Sequence, residues 1–193
     1  MIDDRPSPNF DARPAGAGID MLVLHYTGMP SGVAALERLT DPAAKVSSHY
    51  LVEEDGTVFR LVADAHRAWH AGVSAWAGRE RLNDVSIGIE IVNPGHDCGL
   101  KPFPAMQMAA VAELSRDLID RHCISQRRIM AHSDIAPMRK RDPGELFPWR
   151  WLAEVGVGLW PDVDAGRRHG PRPPSAEAQR MMAAWGYPVP RHG

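Results

Sequence analysis

The spacing of apolar residues lays out most of the chain. IDMLVLHYT, residues 19–27, is a nearly unbroken apolar run of strand length, the pattern of a strand covered on both faces. SGVAALERLT follows with helical character, and Ser31 stands where an N-cap is wanted. SSHYLVEEDGTVFRLV reads as two strands joined at Asp55-Gly56, a dipeptide that favours tight hairpins. DVSIGIEIV, residues 84–92, is another buried strand. Alternation puts Ile87, Ile89 and Ile91 on one face and Ser86, Gly88 and Glu90 on the other. The longest helix is predicted from about Pro104 to His122, with Met108, Val111, Ser115, Leu118 and Ile119 along one side and Pro104 in the first turn. RRIMAHS is a further short strand, and FPWRWLAEVG a second helix stopped by Gly156.

Three stretches lack such a period. Residues 1–18, rich in proline and glycine, read as an extended arm with little regular structure. DAHRAWHAGVSAWAGRERLND reads as a long loop with a short helix, and long irregular segments inside a domain are usually functional. After Trp160 the composition changes. Residues 161–174 form a linker stiffened by proline, and 175–193 an amphipathic helix with an extended end. That helix is too small to bury its own apolar face, so it docks on the main domain or opens a further one. The expected division is an arm at 1–18, a main domain at 19–160, the linker, and the tail. Strands interspersed with helices predict one α/β domain built on a central mixed β-sheet flanked by helices.

Composition narrows the function classes. The chain has 193 residues, 44% of them hydrophobic, and a net charge of −2, which is ordinary for a globular protein and unlike a nucleic-acid binder. No stretch approaches the roughly 18 apolar residues of a membrane span. The start lacks the charged and apolar pattern of a secretory signal, so a cytoplasmic protein is expected, or a periplasmic or envelope one whose leader was removed, and a monomer. Cys98 and Cys123 do not make a disulfide framework and are expected as free, buried thiols.

The chemistry collects at strand ends. His25 and His132 each follow an apolar run at or near the carboxyl end of a strand, where open α/β sheets form their clefts. Two neutral imidazoles there suit a zinc ion, and two capping histidines satisfied by loop carbonyls are an equal reading on position alone. Asp142 favours the metal. It lies ten residues past His132, beyond Pro137 and just before Pro143-Gly144, so the loop can return its carboxylate to the same point. Two histidines and a carboxylate leave one tetrahedral position open. Asp134 reads instead as a local turn or supporting residue. Glu90 interrupts an apolar strand beside small residues that leave room above the sheet, and a buried carboxylate of raised pKa is what a general base requires. Lys140 shares its side of an extended segment with Asp142 and can stabilise a developing oxyanion, while Arg139 and Arg141 would point outward. This set fits zinc-assisted hydrolysis of an amide.

MLVLHYT, VSSHYLV, RAWHAGVS, RERLNDVSIGIEIVN and AHSDIAPMRKRDPG, taken together and in this order, resemble the type 2 family of zinc-dependent N-acetylmuramoyl-L-alanine amidases, the AmpD/AmiD-like group related to peptidoglycan recognition proteins. The resemblance covers most of residues 19–150. It implies one zinc ion on His25, His132 and Asp142, catalysis by Glu90 and Lys140, and cleavage between N-acetylmuramic acid and L-alanine of peptidoglycan fragments. It also implies that Trp69, His70, Arg81 and Asn83 line the substrate groove. Tyr26 and Lys45 stand where the cytosolic recycling enzymes have a smaller polar residue and an arginine, so both bear on substrate preference. SPNFDARP, GLWPD and AEAQRMMAAWGYPVP resemble the subgroup with a C-terminal peptidoglycan-binding helical domain, here expected to be shortened. Two other readings stay open: a recognition module of the same family that binds peptidoglycan without cutting it, and a zinc peptidase with a different amide substrate. The absence of H-E-x-x-H weakens the peptidase.

Overall fold

The structure, a computed structural model, describes residues 2–161 and 172–189. Its first surprise is the arm. Residues 1–18, expected to be irregular, carry two short strands, β1 (Ile2–Asp4) and β2 (Phe10–Ala12). The Ser7 hydroxyl donates to Leu39 O, and the Asn9 amide donates to Asp41 O and Val46 O. Arg13 donates to the carbonyls of Asp64, Asn83, Asp84 and Ser86. Three-residue strands are too short to show a period. Their order comes from distant partners that satisfy the backbone.

Strand β3 (Met21–Tyr26) and helix α1 (Gly32–Thr40) follow as expected, with the Ser31 hydroxyl accepting from Ala34 N. The Asp55-Gly56 turn joins β4 (Tyr50–Val52) to β5 (Val58–Arg60), which pair antiparallel. The segment expected as a long loop with a short helix holds three small strands instead, β6 (His66–Ala68), β7 (Ala75–Trp76) and β8 (Arg79–Glu80), and then a 3₁₀ turn at Leu82–Asp84. Next come β9 (Ser86–Ile91), a short α2 (Gly95–Cys98), the long α3 (Ala105–His122), and β10 (Ile129–Ala131) running into α4 (His132–Ile135). Helices α5 (Trp149–Glu154) and α6 (Ser175–Trp185) complete the described chain, with the linker residues 162–171 and the end of the tail outside it.

The main sheet is mixed, in the order β1-β5-β4-β9-β3-β10. Strands β4, β9, β3 and β10 are parallel, and β5 is antiparallel to β4. Two-stranded sheets β2-β6 and β7-β8 lie beside it. On one face Leu22, Leu24, Ile87, Ile89 and Ile91 pack with Met108, Val111 and Leu118 of α3. On the other, Met21 and Val23 pack with Ala71, Trp76, Leu82, Met130 and Ile135. Apolar cover on both faces is why the central strands read as continuous runs. Among the described residues no helix is long and apolar enough to cross a membrane. Cys98 and Cys123 are free, but both are exposed, not buried: each lies at the end of a helix beside a turn of left-handed backbone.

Candidate metal centre and cleft

The parallel register places the site. His25 on β3 lies directly across from Glu90 on β9. On the other side of β3, Ala131 of β10 pairs with Leu24, so His132 emerges beside His25. The loop after α4 then returns, fastened by Ser133 N donating to Asp142 O. His25, His132 and Asp142 are 1%, 2% and 5% exposed. His25 Nδ1 and His132 Nδ1 are 2.9 Å apart, and each is 3.0 Å from Asp142 Oδ2. These three donor atoms can converge on one metal ion. Donors about 2.0–2.1 Å from a tetrahedral zinc stand roughly 3.3 Å from one another, close to this triangle.

The surroundings dictate which ring nitrogens carry protons. His132 Nε2 is 3.1 Å from Ala71 O, and a carbonyl only accepts, so Nε2 is protonated and Nδ1 is bare. The same logic runs through His25 in three steps. The Ser86 hydroxyl donates to Leu82 O at 2.7 Å, so its oxygen accepts from His70 Nε2 at 3.1 Å. His70 Nδ1 is then bare and accepts from His25 Nε2 at 3.0 Å. His25 Nδ1 is therefore bare as well. Three lone pairs meet about 3 Å apart with no proton between them, an arrangement that a cation satisfies.

Electrostatics agrees. Burial, then the neighbouring His132, lowers the pKa of His25 to about 4, and burial with its histidine neighbours takes His70 well below its usual range. Both stay neutral at physiological pH, as metal ligation through imidazole requires. Burial works against ionisation of Asp142; a proton on His132 or His25 facing it would lower its pKa, and with both nitrogens bare a cation takes that part. Glu90 is the opposite case: burial and the charge of Asp142 raise its pKa well above the usual carboxylate value, while Lys140 pulls it back. Glu90 Oε2 is shut off from solvent without a hydrogen-bond partner.

A cavity of about 390 Å³ opens over the triad, lined by Glu90, His132, Asp142, Lys140, His70 and Tyr26 among others. The space above Gly88, read as open from the sequence, is filled: a Cβ there would stand 2.4 Å from the His70 ring, so glycine is what admits the imidazole. Tyr26 donates to or accepts from His96 Nδ1 at 2.8 Å, and His96 Nε2 reaches Glu145 at 2.9 Å. Three residues assigned to the groove by resemblance, Trp69, Asn83 and Arg81, lie elsewhere than on this cavity, as does Lys45, which was expected to bear on substrate preference. The Trp69 indole donates to Asp11. The Asn83 side chain accepts from His70 N and Ala71 N, which shapes the loop holding His70. Arg81 pairs with Asp84 and lines an adjoining cavity, and Lys45 is exposed with a left-handed backbone. Arg139 corrects the outward-facing reading of its side chain. Its guanidinium turns inward to the carbonyls of Ala71 and Val73, sharing the first with His132 Nε2. Arg141 does face outward and pairs with Asp97. The tautomer chain from His70 to Ser86 escaped the sequence reading, since His70 and Ser86 are far apart along the chain and only the fold aligns them.

Known proteins agree with this architecture. Residues 15–145 match the family model described as N-acetylmuramoyl-L-alanine amidase. The chain is 42% identical over 196 residues to the N-acetylmuramoyl-L-alanine amidase AmiD of Escherichia coli K12, covering 92% of this chain and 70% of that protein. It is 38% identical over 161 residues to the 1,6-anhydro-N-acetylmuramyl-L-alanine amidase AmpD of the same strain, covering 75% of this chain and 86% of the relative. The structure of E. coli AmiD, in complex with the substrate anhydro-N-acetylmuramic acid-L-Ala-D-gamma-Glu-L-Lys, superposes with a TM-score of 0.81 at 39% identity, over 94% of this chain and 77% of that one. AmpDh3 of Pseudomonas aeruginosa, in complex with anhydromuramic pentapeptide, gives 0.82 at 35% identity, over 98% and 83%. With this extent of sequence and fold in common, the chain belongs to the N-acetylmuramoyl-L-alanine amidase family.

Proposed function

We propose that this chain is a zinc-dependent hydrolase that cleaves the amide between N-acetylmuramic acid, or its anhydro form, and L-alanine of peptidoglycan stem peptides. One observation carries the metal: the two bare imidazole nitrogens and the Asp142 carboxylate oxygen lie 2.9–3.0 Å apart, with their tautomers set by backbone carbonyls. A nitrogen-rich set with one carboxylate suits zinc better than a hard cation, which prefers oxygen ligands throughout. Zinc held there supplies Lewis acidity that makes a water acidic near neutral pH.

The chain's own groups do the rest. Glu90 takes the proton of the attacking water and delivers it to the departing amide nitrogen. Its raised pKa supports this, because the proton is held long enough to be passed on. Lys140 lines the same cavity and faces the negative charge that develops on the carbonyl oxygen. His70 keeps His25 in the tautomer that ligation needs. The substrate class is supported by the two relatives whose structures hold anhydromuropeptides and whose fold this chain shares.

The test is digestion of a defined muropeptide followed by mass spectrometry, alongside metal analysis. Free stem peptide with L-alanine at its amino end, about one zinc per chain, and loss of turnover on chelation with recovery on adding zinc are expected. His132→Ala loses both metal and turnover. A chain that carries no stoichiometric zinc and releases no peptide is a recognition module instead.

A further inference from the structure

Helix α6 is followed by residues that reach under the metal centre. Gly186 O accepts from Ala77 N at 2.8 Å. Gly186 has φ 127°, and a Cβ on it would stand 2.7 Å from the Trp76 ring, so only glycine lets the chain pass so close. The Tyr187 ring then packs edge-on against Trp76 at 4.9 Å, and Arg127 lies over the Trp185 ring at 5.5 Å. Thus seated, the Tyr187 hydroxyl donates to Asp134 Oδ1 at 2.7 Å. The other oxygen of Asp134 accepts from Ala131 N at 2.9 Å.

Ala131 is the last residue of β10, and His132 is the first of α4. Asp134 therefore staples the strand-to-helix turn on which His132 is mounted. That turn is also tied to the third donor, through Ser133 N and Asp142 O at 3.0 Å. A carboxylate held by one donor can rotate. Held by a backbone amide on one oxygen and a phenol on the other, it is fixed.

We propose that the C-terminal segment is a positioning element of the metal centre: Tyr187 fixes Asp134, and Asp134 fixes the turn that aims His132. The idea rests on the metal reading of the site above. It gives the tail a role within the main domain. Tyr187 is a positioning residue, since it touches neither donor nor substrate.

The experiment compares the full chain with Tyr187→Phe, which keeps the ring on Trp76 and removes only the hydroxyl. Zinc affinity is measured by competition with a chromophoric chelator, the visible spectrum is recorded with cobalt(II) in place of zinc, and the metal-free chains are melted. Groups that orient metal ligands directly are worth about 10–100-fold in affinity, and Tyr187 acts one bond further out, so a loss of roughly three- to tenfold is expected. The cobalt bands shift, while the melting temperature of the metal-free chain stays near that of the parent. Asp134→Ala gives the larger loss. Affinity and spectrum unchanged in Tyr187→Phe overturn the proposal, as does a lower melting temperature with unchanged affinity, which reduces the tail to a brace for folding. A parent chain that binds no zinc or cobalt overturns the metal reading itself, and the proposal with it.

Discussion

The two faces of β3 and β9 make an instructive contrast. Toward α3 these strands present large aliphatics, Leu22, Leu24, Ile87, Ile89 and Ile91, all fully buried. Toward the cleft β3 begins apolar, with Met21 and Val23, β9 carries Ser86 and Gly88 beside them, and the two strands end with His25 and Glu90 side by side. Both faces are out of water, so the polar pair needs a reason that the aliphatic face does not. On the aliphatic side the buried polar atoms without a partner, Gln107 Oε1 and Ser115 Oγ, are neutral, and the charged groups sit at the rim and are paired, as where the Tyr50 hydroxyl donates to Asp64 at 2.7 Å. On the cleft side Glu90 keeps an unpartnered oxygen and the triad keeps three unshared lone pairs. A fold tolerates such groups when a ligand completes them.

The contrast breaks most sharply at Glu90. Glu90→Gln keeps the shape and removes the proton carrier, so kcat should fall by about 10²–10⁴-fold with bound zinc unchanged. Single-turnover kinetics with metal analysis checks this, and retained turnover removes Glu90 from the mechanism. The aliphatic face should respond the other way. Ile89→Ala opens a cavity beneath α3 and is expected to cost about 2–5 kcal/mol of stability, read from denaturant titration. At a temperature where the variant is folded, its kcat should remain within about twofold of the parent. A large drop in kcat there would mean that the two faces are not separable.

The smallest effect is at the rim. Asp64 accepts from Tyr50, Arg121 and His122. Burial opposes its ionisation, but these hydrogen bonds and the charge on Arg121 leave its pKa below the usual carboxylate value. A lowered folded-state pKa gives stability that is fully present above the unfolded value of about 3.9 and is lost as pH falls through the folded value. Asp64→Asn should therefore be less stable than the parent by about 1–2 kcal/mol at pH 7. That gap should narrow below about pH 3.9. Unfolding curves across pH 2–7 measure it, and a gap that does not close with acid would assign the effect to packing.

Much of this was legible in the residues. The buried strands announced themselves as apolar runs, the hairpin by Asp55-Gly56, and α3 by its period, because each of these signals is local. His25, Glu90 and His132 stood out because polar groups in or at the ends of apolar strands need an explanation wherever the strands go, and Asp142 because its loop could return to His132. The first eighteen residues and the segment from 64 to 84 did not read as strands. Their elements are two or three residues long, too short to show a period, and β1, β2 and β6 gain order from partners far away in sequence. Arg139 was expected to point outward, and nothing in RKR says that one guanidinium will find the carbonyls of Ala71 and Val73.

By itself, then, the sequence determined which strands are buried, where the long helix runs, and which polar side chains the strands carry to their ends, since periodicity and burial are properties of neighbouring residues. Only the tertiary structure decided that β3 lies between β9 and β10, that two backbone carbonyls set the histidine tautomers, and that Tyr187 reaches Asp134. Those relations depend on strand order and on contacts across 45 residues and more, which local pattern does not encode.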